Sequence, residues 1–466
     1  MPLTKLLIKQ WPRISQILNW LLLISLSWQL RHTILWTHYR GEFFEYASIS
    51  IYLTDILIVV LLLGWLLFGK NKINWGPKII IWPLTSFLVW VWLSLIAAYY
   101  STGDLVSAVS GAIHLTLFYF WYLYLINHIK TWKELLIPFG IGVGLQVILG
   151  VLQYFNNHSM GWAFMGEQIL DPIKIGIPVV IVDSIRQLRS HGAMSHANVF
   201  GGLVAVSLPI LLAGVWGIKD KIVSWLGTFG VALVALALLF SFSRGAWLVA
   251  GFSLLILTIL SIWKLGLRNL VQLIALVLFG IIISSTFWPA ITSRFNTAEG
   301  IERNSVVERF NQFEEWEKVS REYPLTGAGI GQYTIYLVQQ GETEIGWRYD
   351  SNLPGWVYNF GSQVWDYQPV HNIWLLILAE LGWIGVGLFI LLWLGVIAMV
   401  IRGMIKNPTF LSFGVGLSVL SLIVIGMFDH YLWTLQQGKL VLFLSLGGAV
   451  IINEFLSKNE HERRES

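Results

Sequence analysis

Runs of roughly 20 apolar residues recur along this chain, and Lys and Arg collect on alternate connections between them, a combination that leaves few folds open. A bilayer's hydrocarbon layer is about 30 Å thick and an α-helix rises about 1.5 Å per residue, so each run matches one crossing. The runs predict spans at residues 14–30, 50–68, 79–99, 106–126, 134–155, 196–216, 222–241, 245–263, 270–288, 371–401, 409–428 and 435–455. Hydrophobic residues make up 56% of the 466 positions and charged residues 12%, more apolar surface than soluble cores can hide. The expected fold class is an all-α integral membrane protein of about 12 transmembrane helices.

The basic clusters Lys5/Lys9/Arg13, Lys70/Lys72/Lys78, Lys130/Lys133, Lys219/Lys221, Lys264/Arg268, Arg402/Lys406 and Lys458/Arg463/Arg464 share one side if every run crosses. Short connections rich in Lys and Arg stay in the cytoplasm, so both termini are expected there and the long connections outside. The net charge of +4 is then an orientation signal; no basic patch suited to nucleic acid is present. The chain has no cysteine, hence no disulfide and no thiolate metal site. Its first apolar run leads into Trp28, Gln29 and Arg31 without a small-x-small cleavage pattern, which predicts a retained anchor.

Two connections on the outer side are long, 156–195 and 288–370. In the second, Ser305-Val306-Val307-Glu308 fits a capping box and predicts a helix to about Glu322, stopped by Pro324. Val306, Phe310, Phe313 and Trp316 form its apolar stripe, with Arg309 between Phe313 and Trp316 on the wheel and therefore expected to point inward. Short helices are thus expected in a large extracytoplasmic loop, 289–370, between the ninth and tenth spans.

Several residues could carry chemistry. Ser243-Arg244-Gly245 forms a tight outer turn that holds a guanidinium at the membrane surface, where it would meet a lipid phosphate or simply anchor a helix end. His371, followed by Asn372, stands where the long loop enters the tenth span, and imidazole is the natural base near neutral pH. Glu380 lies nine residues on, roughly 13 Å deeper and out of reach of His371. Gly327, Gly329 and Gly331 lack the strand and helix a dinucleotide fingerprint requires, and predict close backbone passage past a neighbour instead. His191, His196 and His371 lack metal-site spacing, so neither a metal nor another cofactor is expected. Trp347, Trp356, Tyr358, Trp365 and Tyr367 would stack on sugars or form an interfacial belt.

In order along the chain, His196-Ala-Asn198, Ser243-Arg244-Gly245, Arg309 with Trp316, Tyr323-Pro324-Leu325-Thr326-Gly327-Ala328-Gly329, His371-Asn372, and Glu380-Leu381-Gly382 with Gly385 resemble the O-antigen ligase and O-antigen polymerase superfamily of bacterial membrane glycosyltransferases. The resemblance is strongest over 196–385. It divides the chain into spans 1–5 with their outer loop (1–195), a ligase-like core (196–401), and spans 11–12 with a cytoplasmic tail (402–466). It implies a helical bundle with an outward cavity in the bacterial inner membrane, and transfer of a glycan from undecaprenyl diphosphate to an acceptor hydroxyl, inverting and without a metal ion. By position Arg244 and Arg309 resemble the arginines that hold the diphosphate, and His371 resembles the catalytic histidine; His196, Asn198, Asn372 and Glu380 are of second rank. The partners implied are the lipid-linked donor, membrane lipid, and a lipid, glycan or protein acceptor. Ligase, polymerase and protein oligosaccharyltransferase therefore stay open, with ligase-like transfer favoured. A polysaccharide-lipid transporter is the alternative from another class; it would carry charges deep in both halves and inverted symmetry, which the sequence lacks.

Overall fold

The apolar runs become helices in the computed structural model, which describes residues 3–39, 41–69, 72–174, 176–295, 300–343, 346–350, 355–359 and 367–465. In chain order these are α1 (Leu3–Ser25), α2 (Leu53–Phe68), α3 (Lys78–Ser101), α4 (Leu105–His128), α5 (Trp132–Asn156), α6 (Ala197–Gly217), α7 (Lys221–Phe240), α8 (Arg244–Ser261) and α9 (Leu267–Thr286). The short α10 (Trp288–Ser293), α11 (Gly300–Glu322) and α12 (Tyr333–Thr343) follow, then α13 (Ile373–Lys406), α14 (Phe410–Ile425), α15 (Tyr431–Thr434) and α16 (Gln436–Glu465). Among the described residues, nine of them are long and apolar enough to cross a membrane: α3 to α9, α13 and α16. The other predicted spans fall on α1 and on the shorter apolar helices α2 and α14, of 16 residues each. The protein is an all-α polytopic membrane protein; among the described residues its strands form two-stranded antiparallel sheets in the connections.

Helix α6 is the hub. Its apolar window is 89% buried, against 11% for the lipid-facing α9. Small residues let neighbours close in, since Gly201 lies under Ser241 and Ser243 and Gly202 under the Tyr431 hydroxyl. α6 packs on α7, α8 and α14, while α13 packs on α3 and α16 on α4.

The glycine turn explains the middle of α13. That helix breaks at Gly382 (φ 66°, ψ −172°), and the turn after α11 bonds to the opened backbone. Ala328 N donates to Ala379 O (2.8 Å), Gly329 N to Glu380 O (2.8 Å), and Trp383 N to Pro324 O (2.9 Å). A side chain on Gly327 (φ 68°) would strike the Glu380 backbone, so the glycines do serve close passage.

α11 differs from its sequence reading. It starts at Gly300, five residues before the predicted cap, so Ser305 lies inside the helix. Gln312 and Val319 are buried, and the Trp316 indole donates to Leu375 O (2.7 Å), whereas Phe310 (69%) and Phe313 (53%) are exposed. The docked face is thus rotated by about 100°, one residue, from the predicted stripe. Arg309 lies on that face, three residues before Gln312, but it is exposed rather than turned into protein. The cause is the partner: α11 rests on the polar start of α13, which takes a glutamine and an indole N–H in preference to phenyl rings. Glu317 pairs with Arg321 (2.6 Å) in an exposed i,i+4 bridge. Of the loop aromatics, Tyr367 is buried with its ring 5.6 Å from that of Tyr39; Trp365 and the side chains of Trp347, Trp356 and Tyr358 lie outside the described residues.

Candidate functional site

His371 is held by its neighbours on both sides. Asn372 caps α13, its Oδ1 accepting from Trp374 N (2.9 Å) and Leu375 N (3.2 Å), and its amide donates to Met427 O (3.3 Å). His371 precedes this cap, and its Nδ1 lies 2.6 Å from Gln312 Oε1 on α11. An amide oxygen accepts, so Nδ1 carries the proton and Nε2 keeps its lone pair.

The segment after α14 supplies the next partners. His430 faces His371 with ring centroids 5.1 Å apart, and its Nδ1 lies 2.8 Å from Thr434 Oγ1. Asp429 accepts from His430 N (2.8 Å) and from Asn198 Nδ2 (3.4 Å). Asn198 also accepts at Oδ1 from Arg189 Nη2 (2.6 Å), and its backbone N–H donates to His196 Nδ1 (3.0 Å), which makes His196 the N-cap of α6. Arg189, only 5% exposed, further donates through Nε to Ser241 O (2.8 Å). Asn198→Leu would leave a buried cation and a carboxylate short of a partner. It is expected to destabilise the protein by about 1–3 kcal/mol; an unchanged thermal midpoint in detergent would show the bridge to be dispensable.

Arg244 opens α8. Its Nη1 donates to Arg294 O (2.9 Å), and Arg294, itself buried, donates through Nε to Phe242 O (3.1 Å). The next residue, Gly245, lies against Phe428, the neighbour of Asp429. Arg309 reaches His371 electrostatically. The structure therefore brings His371, Arg309, His196 and Asn198 together, with the Arg244 turn alongside. Glu380 is apart: its carboxylate accepts from Trp433 Nε1 (2.8 Å) and from the backbone amides of Gly331 and Tyr333.

Burial keeps the imidazoles neutral. It lowers His371, with the Arg309 charge acting the same way and Asp429 opposing both. Burial likewise brings His430 to about 4, against Asp429, and holds His196 well below the usual imidazole range, helped by Arg189. A neutral imidazole with a bare Nε2 can accept a proton at pH 7, and Asp429 is placed to stabilise the cation then formed.

Among the described residues, His371, Asp429 and His430 offer ligand atoms within 4.8 Å of one another, a spacing that would admit a divalent ion. Arg189 and Arg309 beside them disfavour a dication and favour an anion. The N-termini of α6, α8 and α13 point their positive ends into the same region.

Sequence reasoning missed Arg189, Gln312, Asp429 and His430. The signal available was the Asp429-His430 pair closing an apolar span on the side opposite the basic clusters.

A family model described as O-antigen ligase matches residues 229–390, which include Arg244, Arg309, His371 and Glu380. No curated protein matches the chain. Among solved structures, one chain from "Structural coordination of polymerization and crosslinking by a peptidoglycan synthase complex" is similar at 14% identity and a TM-score of 0.36, over 80% of this chain and 98% of that one. A superposition this loose bears on neither fold nor activity.

Proposed function

This chain belongs to the O-antigen ligase superfamily through its segment 229–390, and from that premise we propose that it transfers a glycan from undecaprenyl diphosphate to an acceptor hydroxyl at the outer face of the bacterial inner membrane, with its termini in the cytoplasm. The observation that carries this reading is the neutral His371, its Nε2 bare, beside Asp429 and Arg309 at the head of α13.

In this reaction the acceptor hydroxyl gives its proton to His371 Nε2 as its oxygen bonds to the anomeric carbon. The bond from that carbon to the diphosphate oxygen breaks, and its electron pair leaves with the lipid diphosphate. Attack opposite the leaving group inverts the centre. Diphosphate is already a good leaving group, so it needs fixed positive charge more than a proton donor, and Arg244 and Arg309 supply guanidinium forks matched to its oxygens. The hydroxyl is the weak partner, which is why the base matters. Ligase-like transfer fits the outer helix α11 and its large loop; a polymerase or a protein oligosaccharyltransferase would use the same centre with another acceptor.

The test is purified protein in lipid nanodiscs with undecaprenyl-diphosphate-linked glycan and a sugar-bearing acceptor, without any ion gradient and with a chelator present. Transfer is expected. Lipid-linked glycan translocated but never transferred would make the protein a transporter, and activity lost to chelator and restored by zinc would make the His371, Asp429 and His430 trio a metal centre. Arg244→Lys keeps the charge but loses the fork, and is expected to lower kcat/KM at least about tenfold, roughly 1.4 kcal/mol of transition-state stabilisation. Turnover equal to the wild type would rule out bidentate clamping there.

A further inference from the structure

A cleft lies beside the imidazole cluster, and its lining uses none of the arginines assigned to the diphosphate. It touches the cluster at three points. Pro369, on its wall, is two residues from His371; Thr434 holds His430 Nδ1; and the Tyr46 ring lies 6.5 Å from the His430 ring.

The charges of this cleft are matched among themselves. Arg31, in the hairpin between α1 and α2, bonds Glu45 at 2.5 Å. Lys439 lies in the field of Glu380 and Asp55. Asp55 accepts from Gln436 Nε2 (2.6 Å) and lies 3.4 Å from His114 Nε2. One guanidinium, one amine and one imidazole thus face three carboxyl groups, and the lining holds no cationic side chain beyond Arg31 and Lys439 to spare for a phosphate. What the walls do offer is aromatic faces, at Tyr46, Tyr52 and Trp433, and hydroxyls, at Ser110 and Thr334. Aromatic faces with hydroxyls and paired charges suit a neutral, hydroxyl-rich ring.

We propose that this cleft binds the acceptor as a neutral saccharide and leads one of its hydroxyls to His371, an inference that rests on the transferase reading above. The donor diphosphate and the acceptor sugar then approach the imidazoles from differently charged sides, the first from the arginines and the second from the charge-balanced cleft. The same contrast sets specificity: a phosphorylated acceptor sugar would meet Glu45 and Glu380 with Arg31 already paired.

The test uses the full-length protein in nanodiscs and two probes. One is a mixture of neutral oligosaccharides of glucose, galactose, mannose and N-acetylglucosamine; the other is the same mixture phosphorylated on primary hydroxyls. Saturation-transfer NMR is expected to detect the neutral mixture and to give at least tenfold weaker binding of the phosphorylated one. Ser110→Trp, which fills the cleft, is expected to abolish that binding while leaving the affinity for undecaprenyl diphosphate unchanged. Glu45→Gln releases Arg31 from its ion pair at a partly exposed site, and is expected to raise binding of the phosphorylated mixture severalfold. Equal binding of the two mixtures, binding of neither, or saccharide binding unaffected by Ser110→Trp would each overturn the proposal. Saccharide binding in a protein that never transfers glycan would support the cleft and overturn the transferase reading instead.

Discussion

His371→Ala is expected to lower glycan transfer by roughly 10²–10⁴-fold, the usual contribution of a positioned general base, while lipid-linked glycan accumulates. The pH dependence tests the same residue without removing it. Only the neutral imidazole accepts a proton, so activity should fall as pH drops through the His371 pKa, which burial and Arg309 hold below its ordinary value. Asp429 opposes that shift by favouring the imidazolium. Asp429→Asn should therefore move the acid limb to lower pH, with a lower plateau because the cation formed on proton transfer has lost its partner. Arg309→Met should move the limb to higher pH. Opposite displacements in the two variants are the signature of a base set between a carboxylate and a guanidinium. If both profiles overlay the wild type, or if His371→Ala transfers normally, another group takes the proton.

The parts of this molecule written in local periodicity were readable from the sequence, and the parts made by convergence were not. A span needs only a run of apolar residues, so α3 to α9 fall within a few residues of their predicted ends, while α13 and α16 begin where predicted and run five and ten residues further. The α11 face was misjudged because hydrophobicity names the buried side only when the partner is apolar, and here Gln312 and Trp316 dock through hydrogen bonds. His371, Arg244 and Arg309 could be singled out because each stands alone at a chemically telling place on the chain. Arg189 and Asp429 could not, since their meaning comes from Asn198, which joins residues more than 200 positions apart. The hairpin carrying Arg31 and Glu45 holds no motif, and only its folding over Thr434 and Gln436 makes it one wall of the cleft. Glu380 reads from sequence as a lone intramembrane acid; in the structure, indole and backbone donors converge on it.

Gly382→Ala is expected to cost upwards of about 3 kcal/mol of stability, more than the loss of the Asn198 bridge. At φ 66° and ψ −172° the residue occupies a region that only glycine visits readily, in the middle of a 34-residue helix. A methyl group there would also collide with the backbone of Leu325 and Thr326, which cannot rotate away as a side chain would. Both effects act at the point where the outer turn bonds to α13, so relaxation would have to break the Ala328–Ala379, Gly329–Glu380 or Pro324–Trp383 bonds. Those bonds set the amides of Gly331 and Tyr333 against Glu380 and tie the turn after α11, whose Gln312 meets His371, to α13. Gly387→Ala, five residues along the same helix, is the control: a Cβ there meets nothing within 4 Å, and alanine favours the helix. Size-exclusion profiles in detergent after graded heating should show Gly382→Ala aggregating well below the wild type and Gly387→Ala surviving at least as well. Equal survival of the two variants would mean that the α13 break is not held by backbone geometry, and that α11 is positioned beside His371 by its side chains alone.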